Sequence, residues 1–302
     1  MSTVKLDATP EVQISIDTVS AQYPQSKTSS FELESVGDTE RTEKIIETLK
    51  TILLPVIALF SFGVAWHFYS KMPDVSLPGP IQTWENSWNL VANPWFDNGP
   101  NDKGLGWQLL SSLQRVAYGY AGAALIGIIL GILIGKSTIM FKAVDPIFQV
   151  LRTIPPLGWL PISLATFNKA GPSAIFVIFI TAIWPIIINT SVGIKRIPKD
   201  YENISKVYQI NGIRYFFKIL LPSAAPYIFT GLRIAIGMAW LAIVAAEMLT
   251  GGVGIGFFIW DSWNSSRLSD LIVALVFVGL VGLCLDRTMG YIGSFFGTKS
   301  DS

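Results

Sequence analysis

Residues 109–135 read LLSSLQRVAYGYAGAALIGIILGILIG, from Leu109 to Gly135, and this run decides the class of fold. Arg115 is its single charge, and it exceeds the roughly 20 apolar residues that cross a ~30 Å hydrocarbon core as a helix. Gly127, Gly131 and Gly135 recur every four residues. With Gly119 and Gly122 they make a small-residue face of the kind that lets two helix backbones approach closely. Gly135-Lys136-Ser137 also ends like a nucleotide-binding loop. That motif needs a glycine where Leu130 stands, and it follows a strand rather than lying in an apolar helix. Helix packing is the reading taken, and the chain shows no site of its own for ATP hydrolysis.

Working outward, further apolar runs cover Thr51–Tyr69, Val144–Phe167, Ser173–Ile194, Pro226–Leu249 and Leu271–Gly290. Together these predict an all-α membrane protein of about six transmembrane helices. Val144–Phe167 is interrupted by Pro155, Pro156 and Pro161, and Ser173–Ile194 contains Pro185; membrane spans tolerate proline where neighbours satisfy the freed carbonyls. Composition agrees: 51% hydrophobic, 14% charged and a mean hydropathy of +0.48, against about 25% charged in soluble domains. The net charge of +1 gives no basic field for nucleic acid. Cys284 and His67 are the only cysteine and histidine, which excludes an intrachain disulfide and a multi-histidine metal site.

Residues 1–50 are polar, acidic and rich in Ser and Thr, and read as a disordered or peripheral cytoplasmic tail. Residues 51–69 form the first span, 70–108 an outer loop with Trp84, Trp88, Trp95 and Trp107, 109–293 the main transmembrane domain, and 294–302 a second tail. Lys136, Lys142, Lys195, Arg196, Lys199, Lys206, Arg214 and Lys218 fall on one side when the N-terminus is inside. The positive-inside rule therefore places both termini in the cytoplasm. Gly251–Asp270 is then a second outer loop.

The cytoplasmic loop 195–225 carries Val207, Ile210, Ile213, Phe216 and Phe217 near helical spacing, between Lys206, Arg214 and Lys218. An amphipathic helix of this kind lies on the inner leaflet or docks in a groove of a partner, and periodicity alone does not choose. The residues Ile197-Pro198-Lys199-Asp200-Tyr201, Lys206-Val207 and Ile219-Leu220-Leu221-Pro222 resemble the cytoplasmic loop of binding-protein-dependent ABC importer permeases. Pro156-Leu157-Gly158-Trp159-Leu160-Pro161 and Trp184-Pro185-Ile186-Ile187-Ile188-Asn189-Thr190 are similar to the nitrate/sulfonate/taurine branch. Ala242-Ile243-Val244-Ala245-Ala246-Glu247-Met248-Leu249 and Gly252-Val253-Gly254-Ile255-Gly256-Phe257-Phe258-Ile259-Trp260-Asp261 resemble cyanobacterial nitrate and bicarbonate permeases.

The resemblance, from about Leu109 to Gly290, implies a type I ABC permease fold in the plasma membrane of a cyanobacterium. It implies a homodimer of permease subunits, two cytoplasmic ATPase subunits holding ATP and Mg, and a periplasmic or lipid-anchored substrate-binding protein. The cargo it implies is a small oxyanion: nitrate with nitrite, or alternatively bicarbonate or a sulfonate such as taurine. No cofactor is expected in this chain. The loop becomes the helix that couples to the ATPase, with Glu202, Asn203, Lys206, Val207, Ile210, Gly212, Ile213, Leu221 and Pro222 as its residues. The loop departs from the family, which has Glu-Ala-Ala and a glycine where Asn203, Ile204, Ser205 and Gln209 stand here.

Charged residues within spans face protein or water. Arg152 and Arg233 each lie about 11–12 Å in from the inner end of a span, at ~1.5 Å per residue. With Gln149, Asn189 and Thr190 they are candidates to line an anion path; for each arginine alone, snorkelling or pairing with a carboxylate is the competing reading. Arg115 and Glu247, both near outer ends, are expected to form a structural ion pair. A different class stays open at this point, an ion-coupled secondary transporter, although the spans hold almost no mid-depth carboxylate for coupling.

Overall fold

The computed structural model describes residues 30–100, 102–210 and 212–296. They divide into two compact units at Trp66/His67. The first unit contains most of helix α1 (Ser30–Tyr69), whose stretch Leu49–Tyr69 is long and apolar enough to span a membrane. The tail expected over 1–50 is therefore helical from Ser30 onward. Glu, Lys and Leu in this segment are good helix formers, and no proline intervenes before Pro55. Residues 1–29 and 297–302, which hold the rest of the expected tails, lie outside the described residues.

The second unit holds α2 (Pro80–Ala92), α3 (Leu105–Lys136), α4 (Thr138–Leu151), α5 (Leu160–Phe167), α6 (Ala170–Lys195), α7 (Lys199–Val207), α8 (Gly212–Tyr215), α9 (Leu221–Thr250), α10 (Ile255–Asn264) and α11 (Leu268–Phe296). Among the described residues the β content is one isolated bridge, Asp97–Lys103. The Lys103 ammonium and the Gly99 amide there hold the Asp97 carboxyl below the usual carboxylate range.

The glycine face of α3 sets the centre of the bundle. A Cβ at Gly119 would strike Ile178, at Gly127 Ile186, at Gly131 Thr190, and at Gly135 Ile194, all at 2.9 Å or less. Each partner on α6 advances in step with α3, so the two helices run parallel and in register. Parallel neighbours require the intervening chain to return across the layer. Contacts along α6 trace that return. Lys195, at the inner end of α6, sits over Phe141 of α4; Phe148 packs on Trp184 at 5.4 Å; Phe167 of α5 reaches Phe176 near the outer end at 5.9 Å.

The expected third span is thus a crossing but not a helix. α4 stops at Leu151, a 3-10 turn occupies Pro156–Trp159, and α5 covers the remainder. Pro155 and Pro156 supply no N–H to continue the ladder, and each biases its predecessor away from helical geometry. Among the described residues five helices are long and apolar enough to span, and the sixth crossing is made in pieces.

α9 runs antiparallel to α6, with Gly193 against Tyr227 and Gly231 against Asn189. It also runs antiparallel to α11, where Trp240 Nε1 donates to the Val278 carbonyl at 3.0 Å and Phe229 stacks on Phe296 at 4.5 Å. α9 and α11 begin earlier or end later than their hydropathic cores because polar turns at the membrane faces continue the same helices. On the outer side, α2 is tied to α11 by Ser87 Oγ donating to Asp270 at 2.8 Å.

The register predicts its own test. Gly131→Val places branched carbons where Thr190 Cβ already lies 2.5 Å from a Cβ position, and such overpacking costs about 1–3 kcal/mol. Gly279, with nothing within 4 Å of a Cβ position, should accept Ala without loss. Thermal unfolding of the purified protein should show a lowered Tm for Gly131→Val and none for Gly279→Ala.

Candidate functional site

Breaking the third crossing opens space beside α6. A cavity of 290 Å³ is lined by Arg152, Ile154, Pro156 and Trp159 from the broken segment, Ile180, Thr181, Trp184, Pro185, Ile188 and Asn189 from α6, and Ile234 and Met238 from α9. Arg152 reaches it because α4 ends there: its N–H donates to the Phe148 carbonyl at 3.0 Å as the helix closes. Pro185 has no N–H to offer the Thr181 carbonyl, and Asn189 Nδ2 in turn donates to the Pro185 carbonyl at 2.8 Å. The lining is apolar with one formal charge, the Arg152 guanidinium, and with indole and amide donors; the Thr181 hydroxyl is committed to the Val177 carbonyl at 2.7 Å. Ligand sites commonly have this composition, apolar walls with a few directed polar groups, and the one charge here is positive.

Of the five residues proposed for a path, Arg152 and Asn189 line this cavity. Gln149 instead donates to Asp145 Oδ2 at 2.7 Å. Thr190 is fully buried against Gly131, and its hydroxyl has no hydrogen-bond partner among the described residues. Arg233 makes a two-point pair with Asp286 of α11, Nε to Oδ1 at 2.8 Å and Nη2 to Oδ2 at 2.7 Å. The sequence reading named pairing as an alternative for Arg233 but did not single out Asp286. Gly290, one turn beyond Asp286, packs against the Arg233 guanidinium, 3.4 Å from where a Cβ would stand, a contact between antiparallel helices that spacing in the sequence does not reveal.

Near the outer ends, Arg115 Nη1 lies 2.5 Å from Glu247 Oε1, and Glu247 is 1% exposed. Ser112 Oγ donates to Glu247 Oε2 at 2.7 Å, and the Gly256 amide donates to the same oxygen at 3.1 Å. The Gly254 amide donates to Gln108 Oε1 at 2.7 Å and the Ile255 amide to Ser112 Oγ at 2.9 Å. The unsatisfied first-turn amides of α10 thus find side-chain acceptors, with a carboxylate at the positive end of the helix. Gly251 and Gly252, at φ 75° and 90°, make the turn that brings α10 back onto α3, and a side chain at Gly254 would collide with the Glu247 carboxylate. Gln108 and Ser112 were not singled out in sequence, where their spacing of four before an arginine carries no specific signal.

The cytoplasmic loop departs from the expected continuous amphipathic helix. α7 ends at Val207, Gln209 and Gly212 adopt φ 52° and 56°, α8 lasts one turn, and a π-helical turn Phe216–Leu220 leads into α9. The amide of Ile210 donates to the Ser205 carbonyl at 2.8 Å, closing α7 rather than extending it. Glu202, Asn203 and Lys206 therefore lie on α7, and Gly212 and Ile213 on α8. Leu221 and Pro222 open α9. Val207 and Ile213 are each 79% exposed and Phe217 61%, whereas Ile210 is half-buried. The break turns two short helices into a knuckle with apolar tips.

Residues 123–295 match the family model described as the binding-protein-dependent transport system inner membrane component. The chain is 58% identical over 243 residues to the nitrate import permease protein NrtB of Synechocystis sp., covering 80% of this chain and 88% of that relative. It is 56% identical over 248 residues to NrtB of Leptolyngbya laminosa, covering 82% and 88%. With the bicarbonate transport system permease protein CmpB of Synechocystis sp. the identity is 51% over 244 residues, covering 80% and 87%. Among solved structures, a chain of the MetNI methionine ABC transporter superposes with a TM-score of 0.57 at 15% identity, over 64% of this chain and 96% of that one. At that identity the likeness is one of fold.

Removing one partner from the buried outer cluster strands the other. Glu247→Ala should cost about 3–5 kcal/mol, the usual penalty for breaking a buried charge pair. Arg115→Ala should cost less, because Ser112 and the Gly256 amide still serve the carboxylate. The double variant should lose less than the sum of the two, read as the yield of folded protein and its unfolding midpoint; strict additivity would show that the two residues are not coupled.

Proposed function

The chain belongs to the family of binding-protein-dependent transport system inner membrane components, and we propose that it is the permease subunit of an ATP-driven importer of nitrate, with nitrite carried alongside. The observation that carries the reading is the identity of 58% to a nitrate import permease against 51% to a bicarbonate permease of the same organism, over nearly the same span. Bicarbonate is the second reading on that comparison.

In this reading two copies of the chain enclose one path in the plasma membrane. A substrate-binding protein delivers the anion from outside, and two ATPase subunits sit below, where ATP and Mg are held. This chain makes and breaks no covalent bond in its cargo. Its work is alternating access: closure of the ATPase pair moves the knuckle formed by α7 and α8, and the pull is transmitted through the turn Phe216–Leu220 into α9. α9 is held to α6 by close glycine contacts and to α11 by the Arg233–Asp286 pair, so the three helices shift together against the broken crossing. The cavity beside Arg152 opens to each side in turn. A monovalent anion leaving water needs a compensating charge, which the guanidinium offers in the cavity, and the surrounding donors can meet its oxygens. A single positive charge keeps that stay short, since conduction needs binding weak enough to release.

Two measurements test this. Arg152→Ala should reduce nitrate uptake by the reconstituted complex at least tenfold while the ATPase subunits remain bound, and Arg152→Lys should restore part of it. Unchanged uptake in Arg152→Ala would remove the cavity from the path. On the cytoplasmic side, Ile213→Asp puts a charge at an exposed apolar tip, which a desolvated interface does not tolerate. It should release the ATPase subunits on purification or leave their hydrolysis unresponsive to nitrate. Wild-type recovery of ATPase with normal uptake would assign the knuckle to the membrane surface instead.

A further inference from the structure

A second cavity, of 320 Å³, lies at the inner ends of α3 and α6. Lys136 closes α3 and Lys195 closes α6; both line it, with Thr138 at the start of α4, Ile197 on the following turn, and Tyr215 and Leu220 from the segment leading into α9. No Asp or Glu is among its lining residues. The parallel register of α3 and α6 is what brings the two lysines to one place, since helices that end together present their last residues side by side.

Both ammonium groups are held by aromatic faces rather than by carboxylates. Lys195 Nζ sits 3.3 Å from the centroid of the Phe141 ring, and Lys136 Nζ 5.8 Å from that of Phe216. Among the described residues neither has an ion-pair partner. A cation–π contact positions an ammonium without cancelling its charge. Both lysines are exposed and line one cavity, so an anion in it meets two positive charges that no carboxylate of the lining offsets. The hydroxyls of Thr138 and Tyr215 can donate to oxygens of the same anion. The positive-inside asymmetry puts this cavity at the depth of the inner headgroups, where basic pockets between membrane helices take lipid phosphates.

We propose that this cavity binds a phosphate-class anion, carried on the headgroup of an anionic phospholipid or present as free inorganic phosphate. The site is separate from the cavity beside Arg152, shares no lining residue with it, and stands whether or not the cargo is nitrate. It joins the ends of α3 and α6 to Tyr215 and Leu220, so its occupant bridges the glycine-packed pair and the turn below α9.

The test uses the full-length chain, purified with whatever subunits accompany it and exchanged into defined lipid. Native mass spectrometry with phosphatidylglycerol and phosphatidylcholine should show preferential retention of phosphatidylglycerol. The double variant Lys136→Gln, Lys195→Gln should lose about thirtyfold in that retention, each basic group near the surface being worth about fivefold. Lys142→Gln, an exposed lysine outside the cavity, should leave it unchanged. Inorganic phosphate added at millimolar concentration separates the sources: displacement of the lipid, with phosphate bound in its place, assigns the site to the soluble anion, and retention assigns it to the headgroup. Wild-type protein that shows no preference for phosphatidylglycerol and binds no phosphate overturns the proposal without any variant. So does retention by the double variant equal to that of wild type.

Discussion

The close approach of α3 and α6 is the constraint on which the remaining architecture depends. Gly119, Gly127, Gly131 and Gly135, set at multiples of four residues, remove the side chains that would keep the two backbones apart, and Ile178, Ile186, Thr190 and Ile194 occupy the vacated space. In a lipid environment no hydrophobic force drives helices together, so dispersion between closely fitted surfaces must supply the attraction. The fit also sets direction. Because the partners advance in step, α3 and α6 are parallel, and parallel neighbours oblige residues 137–169 to cross back. The prolines that prevent that return from being one helix then open the cavity beside Arg152, and the same register gathers Lys136 and Lys195 at the inner ends.

Polar groups within the bundle sort by how fully they are answered. Glu247 is buried and meets Arg115, Ser112 and the Gly256 amide, so its charge is spread over donors from α3 and the start of α10. Such a cluster stabilises one arrangement of three helices, because every member is unsatisfied in any other. Arg233 and Asp286 neutralise each other through two parallel hydrogen bonds, the strongest geometry for that pair. Arg152 differs: it ends a helix at a cavity and faces no carboxylate among the cavity's lining residues. The contrast between answered and unanswered charge separates scaffold from candidate path more sharply than depth in the membrane does.

In the loop between α6 and α9, helical spacing misjudged the local geometry. Periodicity over Lys206–Phe217 suggested one helix with Val207, Ile210 and Ile213 along a face. Instead Gln209 and Gly212 take left-handed backbone conformations and the segment folds as two short helices. Val207 and Ile213 remain exposed at the knuckle while Ile210 turns partly inward. Helical spacing describes which residues are apolar, but a turn of a few residues decides which of them meet a partner. The departure from the family's Glu-Ala-Ala and glycine pattern falls on α7 and the break that follows it.

By itself the sequence determined the class of fold, its approximate crossings and the glycine face, since each follows from local quantities: the length of an apolar run and a spacing of four. It also paired Arg115 with Glu247, because two opposite charges at one depth in an apolar layer have few other options. Tertiary structure alone decided that α3 and α6 are parallel, that Gln108 and Ser112 complete the Glu247 cluster, that Arg233 pairs with Asp286, and that Thr190 packs against Gly131. These are contacts between residues far apart in the chain. Hydropathy reports how deep a residue lies but carries no information on the rotation of its helix, and rotation decides whether a side chain meets a glycine, a carboxylate or a cavity.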